Sequence, residues 1–423
     1  MQPDPRRRIA APAAEHDGAV ELDNAVDSAE IERLVSSYLD ELIAFRRDLH
    51  AHPEPGREEI RTTGRILDRL TRAGLEGRTL PCGTGLTFDI GDPGSDLGSV
   101  ALRADIDALR VSDEKDVPYR STRPGLCHAC GHDVHTAIVV GAGLVLRDLQ
   151  LAGRLDHGVR LIFQPAEEQI PGGALDVISA GGTDGVGRIF ALHCDPRLEV
   201  GQVGLRTGAI TSAADRVRIV LRGPGGHTAR PHRSADLVHA LAALVSQLPA
   251  VLSRKVDPRA GLSVVWGRIS AGDAANAIPM TGEAEGTVRC LDVDVWEESA
   301  ELLPRLAREI VAPFGVRLEA DVHRGVPPVV NEAAATELLE ESARLLLGQE
   351  AIASTDQSLG GEDFAWYLTK ASGSMARLGV RPVGAGAYDI HQGTFDVDEN
   401  CIGVGIRLLV GAALAAGAEQ RLH

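Results

Sequence analysis

Residues 127–135 read Cys127-His128-Ala129-Cys130-Gly131-His132-Asp133-Val134-His135. Six of the nine are metal-ligand types and one is a glycine. So dense a polar run is hard to bury as packing, because each unpaired polar group in a core costs about 1–3 kcal/mol. Directly after it, Ala137, Ile138, Val140, Gly141, Leu144 and Val145 keep helical spacing, which predicts a helix over 135–149. Cys130 and His132 then lie just before or at a helix start, where the backbone dipole favours a thiolate.

Around this run, short apolar stretches end in polar residues. Residues 99–103 run into Ala104-Asp105, 159–164 into Pro165-Ala166-Glu167-Glu168, and 188–192 into His193. Strands alternating with helices predict an α/β sheet covered on both faces. Open sheets of this kind place their sites at the carboxyl ends of the strands. Cys130, His132, Glu168, His193 and His391 are a soft-to-borderline ligand set, suited to zinc, cobalt, nickel or manganese. Glu167 is a second, uncommitted carboxylate beside Glu168. A cation that acidifies water and a base that takes its proton are the requirements of metal-assisted hydrolysis. His128, Asp133 and His135 are candidates for holding ligand rings by hydrogen bonds, whereas Cys127 reads as structural.

The 423 residues favour two domains, and 44% hydrophobic with 24% charged residues describe a globular protein. A formal charge of −17 argues against nucleic acid and anionic membrane as partners. Six scattered cysteines do not make a disulfide framework. The first residues lack the apolar core of a secretory signal, and no stretch reaches about 18 uninterrupted apolar residues. A cytoplasmic protein is expected. Residues 1–28 read as a disordered tail, followed by helices over 29–49 and 58–73.

Near residue 213 the pattern changes. A half-buried strand over 214–221 is followed by a helix (234–252), two strands (262–269 and 282–290), a long helix (294–314) and a strand (317–324). The order βαββαβ is the split, ferredoxin-like arrangement. The division expected is a catalytic domain over 29–212 and 327–423, with 213–326 inserted into it. Within the insert, His227 follows a glycine-rich turn and could present an imidazole to an oxyanion; Asn276 and Arg289 are candidate donors to a substrate carboxylate.

These residues resemble a known family, the metal-dependent aminoacylases that include hippurate hydrolase and plant auxin-conjugate amidohydrolases, within the carboxypeptidase–aminoacylase superfamily. The resemblance runs through Arg46-Arg47-Asp48-Leu49-His50-Ala51-His52-Pro53-Glu54, Ala101-Leu102-Arg103-Ala104-Asp105 with Asp107-Ala108-Leu109, and the 128–136 run. It continues through Phe163-Gln164-Pro165-Ala166-Glu167-Glu168, Gly225-Gly226-His227, Asn276-Ala277-Ile278-Pro279, Gly286-Thr287-Val288-Arg289, Gly361-Glu362-Asp363-Phe364 and Phe395-Asp396-Val397-Asp398-Glu399. It implies an α/β fold: a mixed-sheet metallohydrolase catalytic domain with an inserted ferredoxin-like lid and dimerisation domain. It also implies two divalent ions, with Cys130 bridging, His132 and Glu168 on one side, and His193 and His391 on the other. Glu167 becomes the general base and acid, and His227 the oxyanion donor, often from the partner subunit of a homodimer. Asp105, with Asp133 and His135, would stand behind the ligands. The implied substrate is an N-acyl-amino acid or related small amide. A small-dipeptide peptidase, a thiol hydrolase using Cys130 and a non-catalytic binding protein are the alternatives. Gly360-Gly361 stands where the family more often has Gly-Ser, and Arg110 replaces the usual proline. None of these departures removes a candidate ligand or the base; Arg110 and the glycine-rich 382–388 segment bear on specificity rather than chemistry.

Overall fold

The computed structural model describes residues 27–92, 99–386 and 388–420. Residues 1–26 of the expected tail lie outside the described residues. Asp27 and Ser28, also assigned to that tail, belong to the first helix: the Asp27 side chain accepts a hydrogen bond from the Ala29 N–H, so Ser28–Ala51 starts at Ser28. The second helix, Ile60–Arg72, is held at its start by Glu54, whose carboxylate accepts from the Arg61 and Thr62 N–H groups.

The larger sheet is mixed, with eight strands in the order Gly77–Thr79, Leu86–Ile90, Gly158–Gln164, Ser99–Asp105, Val186–Glu199, Ser372–Arg381, Val203–Leu205, Ile352–Ser354. Its centre is parallel, and every residue of Ser99–Asp105 and Gly158–Gln164 is buried. Alternate side chains feed two cores. Val100, Leu102, Val159, Leu161, Phe190 and Leu192 join the cluster shared with Ser28–Ala51, His132–Leu151, Ala333–Leu346 and Cys401–Gln420. Ala101, Ile162, Ile189 and Ala191 join the cluster with Phe364 and Tyr367 on the opposite face. Burial on both sides explains why these strands read as continuous apolar runs.

His193 was expected to end a strand, and it does not. Beyond Leu192 the chain keeps pairing with Ser372–Arg381, His193 opposite Arg377 and Cys194 opposite Leu378, so the strand runs on to Glu199. Its other neighbour, Ser99–Asp105, stops pairing at Arg103 opposite Ala191, which leaves His193 just past that strand's register.

Between Ala214 and Val326 a separate antiparallel sheet has the order Ser263–Ala271, Thr281–Arg289, Ala214–Arg222, Arg317–Val326. Val217, Ile219 and Leu221 point into its own core, under Leu237–Lys255 and Val293–Val311. The opposite face carries Arg218 paired with Glu283 and Arg222 with Glu319. The first of the two helices begins at Leu237 rather than 234, because Asp236 is the residue that caps it, accepting from the His239 N–H. Among the described residues three helices, His132–Leu151, Leu237–Lys255 and Cys401–Gln420, are long and apolar enough to cross a bilayer by length and composition. Of the apolar windows in the first and last, 78% and 83% are buried against the fold, and 39% in the middle one.

Candidate metal centre

Each candidate ligand is placed by a specific local device. Gly131, at φ 94, caps His132–Leu151, and a Cβ there would lie 2.6 Å from Cys194 Sγ. The chain can therefore turn sharply between Cys130 and His132 only with glycine. Ala166 holds φ 52, tied by its N–H to Glu59 Oε1 at 2.7 Å and by its carbonyl to the Gly173 N–H at 3.1 Å. That left-handed residue turns Glu167 and Glu168 off the end of Gly158–Gln164. His391 is also left-handed, at φ 63, and its N–H donates to the Ala129 carbonyl at 2.7 Å. Such conformations in residues other than glycine are uncommon and gather at functional sites.

The donors converge. His391 Nε2 lies 3.3 Å from Glu168 Oε1, Cys130 Sγ lies 3.6 Å from His193 Nε2, and His132 Nε2 lies 3.9 Å from both Glu168 Oε1 and Glu167 Oε2. Donors bound at about 2.0–2.3 Å to one ion stand roughly 3–4 Å apart. Both inner rings are fixed in one tautomer. His132 Nδ1 donates to the Asp107 carbonyl at 3.0 Å and faces its Oδ1 at 3.2 Å, while His193 Nδ1 donates to the Cys194 carbonyl at 2.8 Å. Each Nε2 lone pair is thus left facing the cluster. His132 Nε2 and Glu168 Oε1 are buried with no hydrogen-bond partner. Unsatisfied acceptors beside a thiol and carboxylates fit divalent cations.

The electrostatics agree with an excess of negative charge. Burial, then Glu168 and Glu167, pushes the Cys130 thiol well up. Burial, then Glu362 and Glu168, pushes Glu167 well up. Burial opposes a charge on His132, yet Asp105 and Asp107 outweigh it and raise the ring to about 10, so the lone pair on Nε2 is available to a cation only as the cation displaces a proton. Burial, then Arg377, pushes His193 well down.

Four of the five expected ligands, Cys130, Glu168, His193 and His391, line one cavity of about 270 Å³ with Glu167, and Arg289 from the smaller sheet lines it too; His132 is buried behind its wall. His227 and Asn276 do not: both are exposed on the insert and are absent from the walls of this cavity. Asp105 and His135 are joined, His135 Nδ1 donating to Asp105 Oδ1 at 2.6 Å, and His135 Nε2 accepts from the Cys194 N–H. Asp133 does not stand behind a ligand. It takes Arg46 Nε at 2.6 Å and His50 Nδ1 at 2.7 Å. His128 holds no ligand ring, since both its nitrogens are buried without partners.

Three acidic residues at the site carried no assigned role. Asp107 ties two candidate ligands together, through His132 Nδ1 and the Glu168 N–H, which its Oδ2 accepts at 3.1 Å. Glu362 and Asp363 stand within 4.8 Å of Glu167. Arg103 braces this pair, and burial with Glu362 raises Asp363 to about 8 against the pull of Arg103. Their only sequence signal was membership of the quoted Asp107-Ala108-Leu109 and Gly361-Glu362-Asp363-Phe364 blocks.

Residues 101–415 match the family described as Peptidase family M20/M25/M40. An N-acetyl-L-cysteine deacetylase of Bacillus subtilis is 37% identical over 87% of this chain and 86% of its own length. A solved Bacillus subtilis protein, described as a dinuclear metal-binding peptidase of the M20 family, superposes with a TM-score of 0.78 at 34% identity, covering 90% of this chain and 98% of that one. A Rhodococcus jostii protein, named as a candidate glutamate–cysteine ligase, is 47% identical over 91% of this chain, and the chain spans about half (48%) of that relative's length. The chain belongs to the M20/M25/M40 peptidase family.

Proposed function

We propose that this family member is a metal-dependent amidohydrolase that cleaves N-acyl-amino acids or related small amides. The deacetylase and dinuclear relatives support the reaction class and a two-ion site. In this proposal Cys130, His132 and Glu168 would hold one divalent ion, and Cys130, His193 and His391 would hold the other. The mixed thiolate, imidazole and carboxylate set suits zinc, manganese, cobalt or nickel. When bound, the ions acidify water and polarise the scissile carbonyl. Glu167 takes the proton of the attacking water on its carboxylate and returns it to the departing amine. The buried Glu362 and Asp363 beside it favour the protonated state that this return requires.

His227 serves as oxyanion donor from a partner subunit, which accounts for its exposure on the insert, and the insert is the dimerisation element. The described cysteines are all free, in keeping with a reducing cytoplasmic setting in which Cys130 stays available as a ligand.

The observation that carries the proposal is the convergence of Nε2 lone pairs, thiol and Glu168 carboxylate beside an uncommitted Glu167. The test is Glu167→Gln assayed on N-acetyl-amino acids. It should bind metal and lose about 10²–10⁴-fold in kcat. A metal-loaded variant with near-wild-type kcat would sink the role of Glu167 and the mechanism with it.

A further inference from the structure

Arg377 lies on Ser372–Arg381, opposite His193, and lines the cavity that holds Cys130 and Glu167. It is 6% exposed, and its Nε is buried without a partner. Among the described residues its guanidinium makes neither a hydrogen bond nor an ion pair. The other deeply buried arginines are saturated: Arg46 holds Asp133 and Glu399, and Arg103 holds Asp105, Glu362 and Asp363. A buried charge without a counter-charge is strongly unfavourable. Burial accordingly depresses Arg377, although Glu362 and Asp195 act the other way. No described carboxylate pairs directly with this cation, which points to a complement from outside the chain.

A second guanidinium repeats the pattern. Arg289, at the end of Thr281–Arg289 on the insert, lines the same cavity, and its Nη1 is buried without a partner. The two arginines enter this one cavity from different sheets, which allows each a carboxylate of its own. A planar guanidinium fork matches a carboxylate with two parallel hydrogen bonds.

We propose that the substrate is a dianionic amide, with one carboxylate read by Arg289 and a second by Arg377. This rests on the amidohydrolase function proposed above. The second carboxylate belongs either to the amino-acid side chain, as in N-acetyl-L-glutamate, or to the far end of the acyl group, as in N-succinyl-L-alanine. Arg377 recognises the same chemistry in both cases.

The experiment compares kcat/KM for N-acetyl-L-glutamate against its monoanionic isostere N-acetyl-L-glutamine, and for N-succinyl-L-alanine against N-acetyl-L-alanine, in the metal-loaded wild type, Arg377→Met and Arg377→Lys. Calorimetric binding of the first pair to the metal-free proteins gives a readout independent of turnover. In the wild type one dianion should be preferred by about 10–100-fold, and the pair that shows it locates the second carboxylate. The preference should vanish in Arg377→Met and be intermediate in Arg377→Lys, and Arg377→Met should unfold at the same or a higher denaturant concentration. Equal rates within both pairs, or a preference that survives Arg377→Met, overturns the inference. If the wild type hydrolyses none of the four compounds, the amidohydrolase proposal fails. In that event an Arg377-dependent preference of the metal-free protein for N-acetyl-L-glutamate still upholds the dianion site, and no such preference overturns it.

Discussion

Asp107 is the residue through which the metal affinity of the centre is most cleanly tested, because it touches two proposed ligands and is not one itself. It is 1% exposed. Its Oδ1 stands 3.2 Å from His132 Nδ1, and its Oδ2 accepts from the Glu168 N–H at 3.1 Å. Asp107→Ala removes both contacts. His132 keeps its bond to the Asp107 carbonyl, at 3.0 Å, so its tautomer survives while its added basicity does not. The Glu168 N–H loses its partner, at a cost of about 1–3 kcal/mol. Loss of such outer partners lowers metal affinity by about 10–100-fold. Asp107→Asn sharpens the test. A carboxamide oriented to accept from His132 must turn its NH₂ toward the Glu168 N–H, setting donor against donor. The asparagine variant should therefore lose about as much affinity as the alanine variant, although it fills the same volume. The assay is competitive titration of Zn²⁺ or Mn²⁺ against a chromophoric chelator, with far-UV circular dichroism to confirm the fold. Wild-type affinity in Asp107→Asn would refute the coupling of the two ligands through Asp107.

Two further perturbations test how the fold holds this region. His50 is raised to about 10: burial opposes its charge, but Asp133 outweighs it. Because the folded value lies above the unfolded value of about 6.5, the charged ring stabilises the fold fully below about pH 6.5 and loses that effect as pH rises through 10. The Tm gap between wild type and His50→Gln should therefore shrink from pH 6 to pH 10, and a gap constant across that range contradicts the assignment. Gly131→Ala places a Cβ on a φ of 94 and 2.6 Å from Cys194 Sγ; about 2–5 kcal/mol should be lost in urea unfolding, and a loss under about 0.5 kcal/mol would show that the turn is not constrained.

Much of this centre was legible because its chemistry is local in the chain. Six ligand types in nine residues cannot be mistaken for packing, and continuous apolar runs such as 159–164 announce strands buried on both faces. What escaped depends on direction and on distant partners. His132 and Asp133 are adjacent on a helix, so their side chains diverge by about 100° and cannot face one ion together. Helical spacing instead groups His132 with His135 and Thr136, at i+3 and i+4, and sends Asp133 to Arg46 and His50. That periodicity was available in the sequence and would have separated the two roles. Asp107 was less accessible, since it acts partly through a backbone carbonyl and a backbone N–H that no side-chain pattern encodes. Arg377 lies beyond any local pattern. An arginine in an apolar strand reads as an ordinary buried ion pair until the two carboxylates that attract it are found committed elsewhere: Asp195 to Arg197, and Glu362 to Arg103. An unpaired charge is a property of the whole packed interior, and for that reason it points outward, to the substrate, rather than inward to the fold.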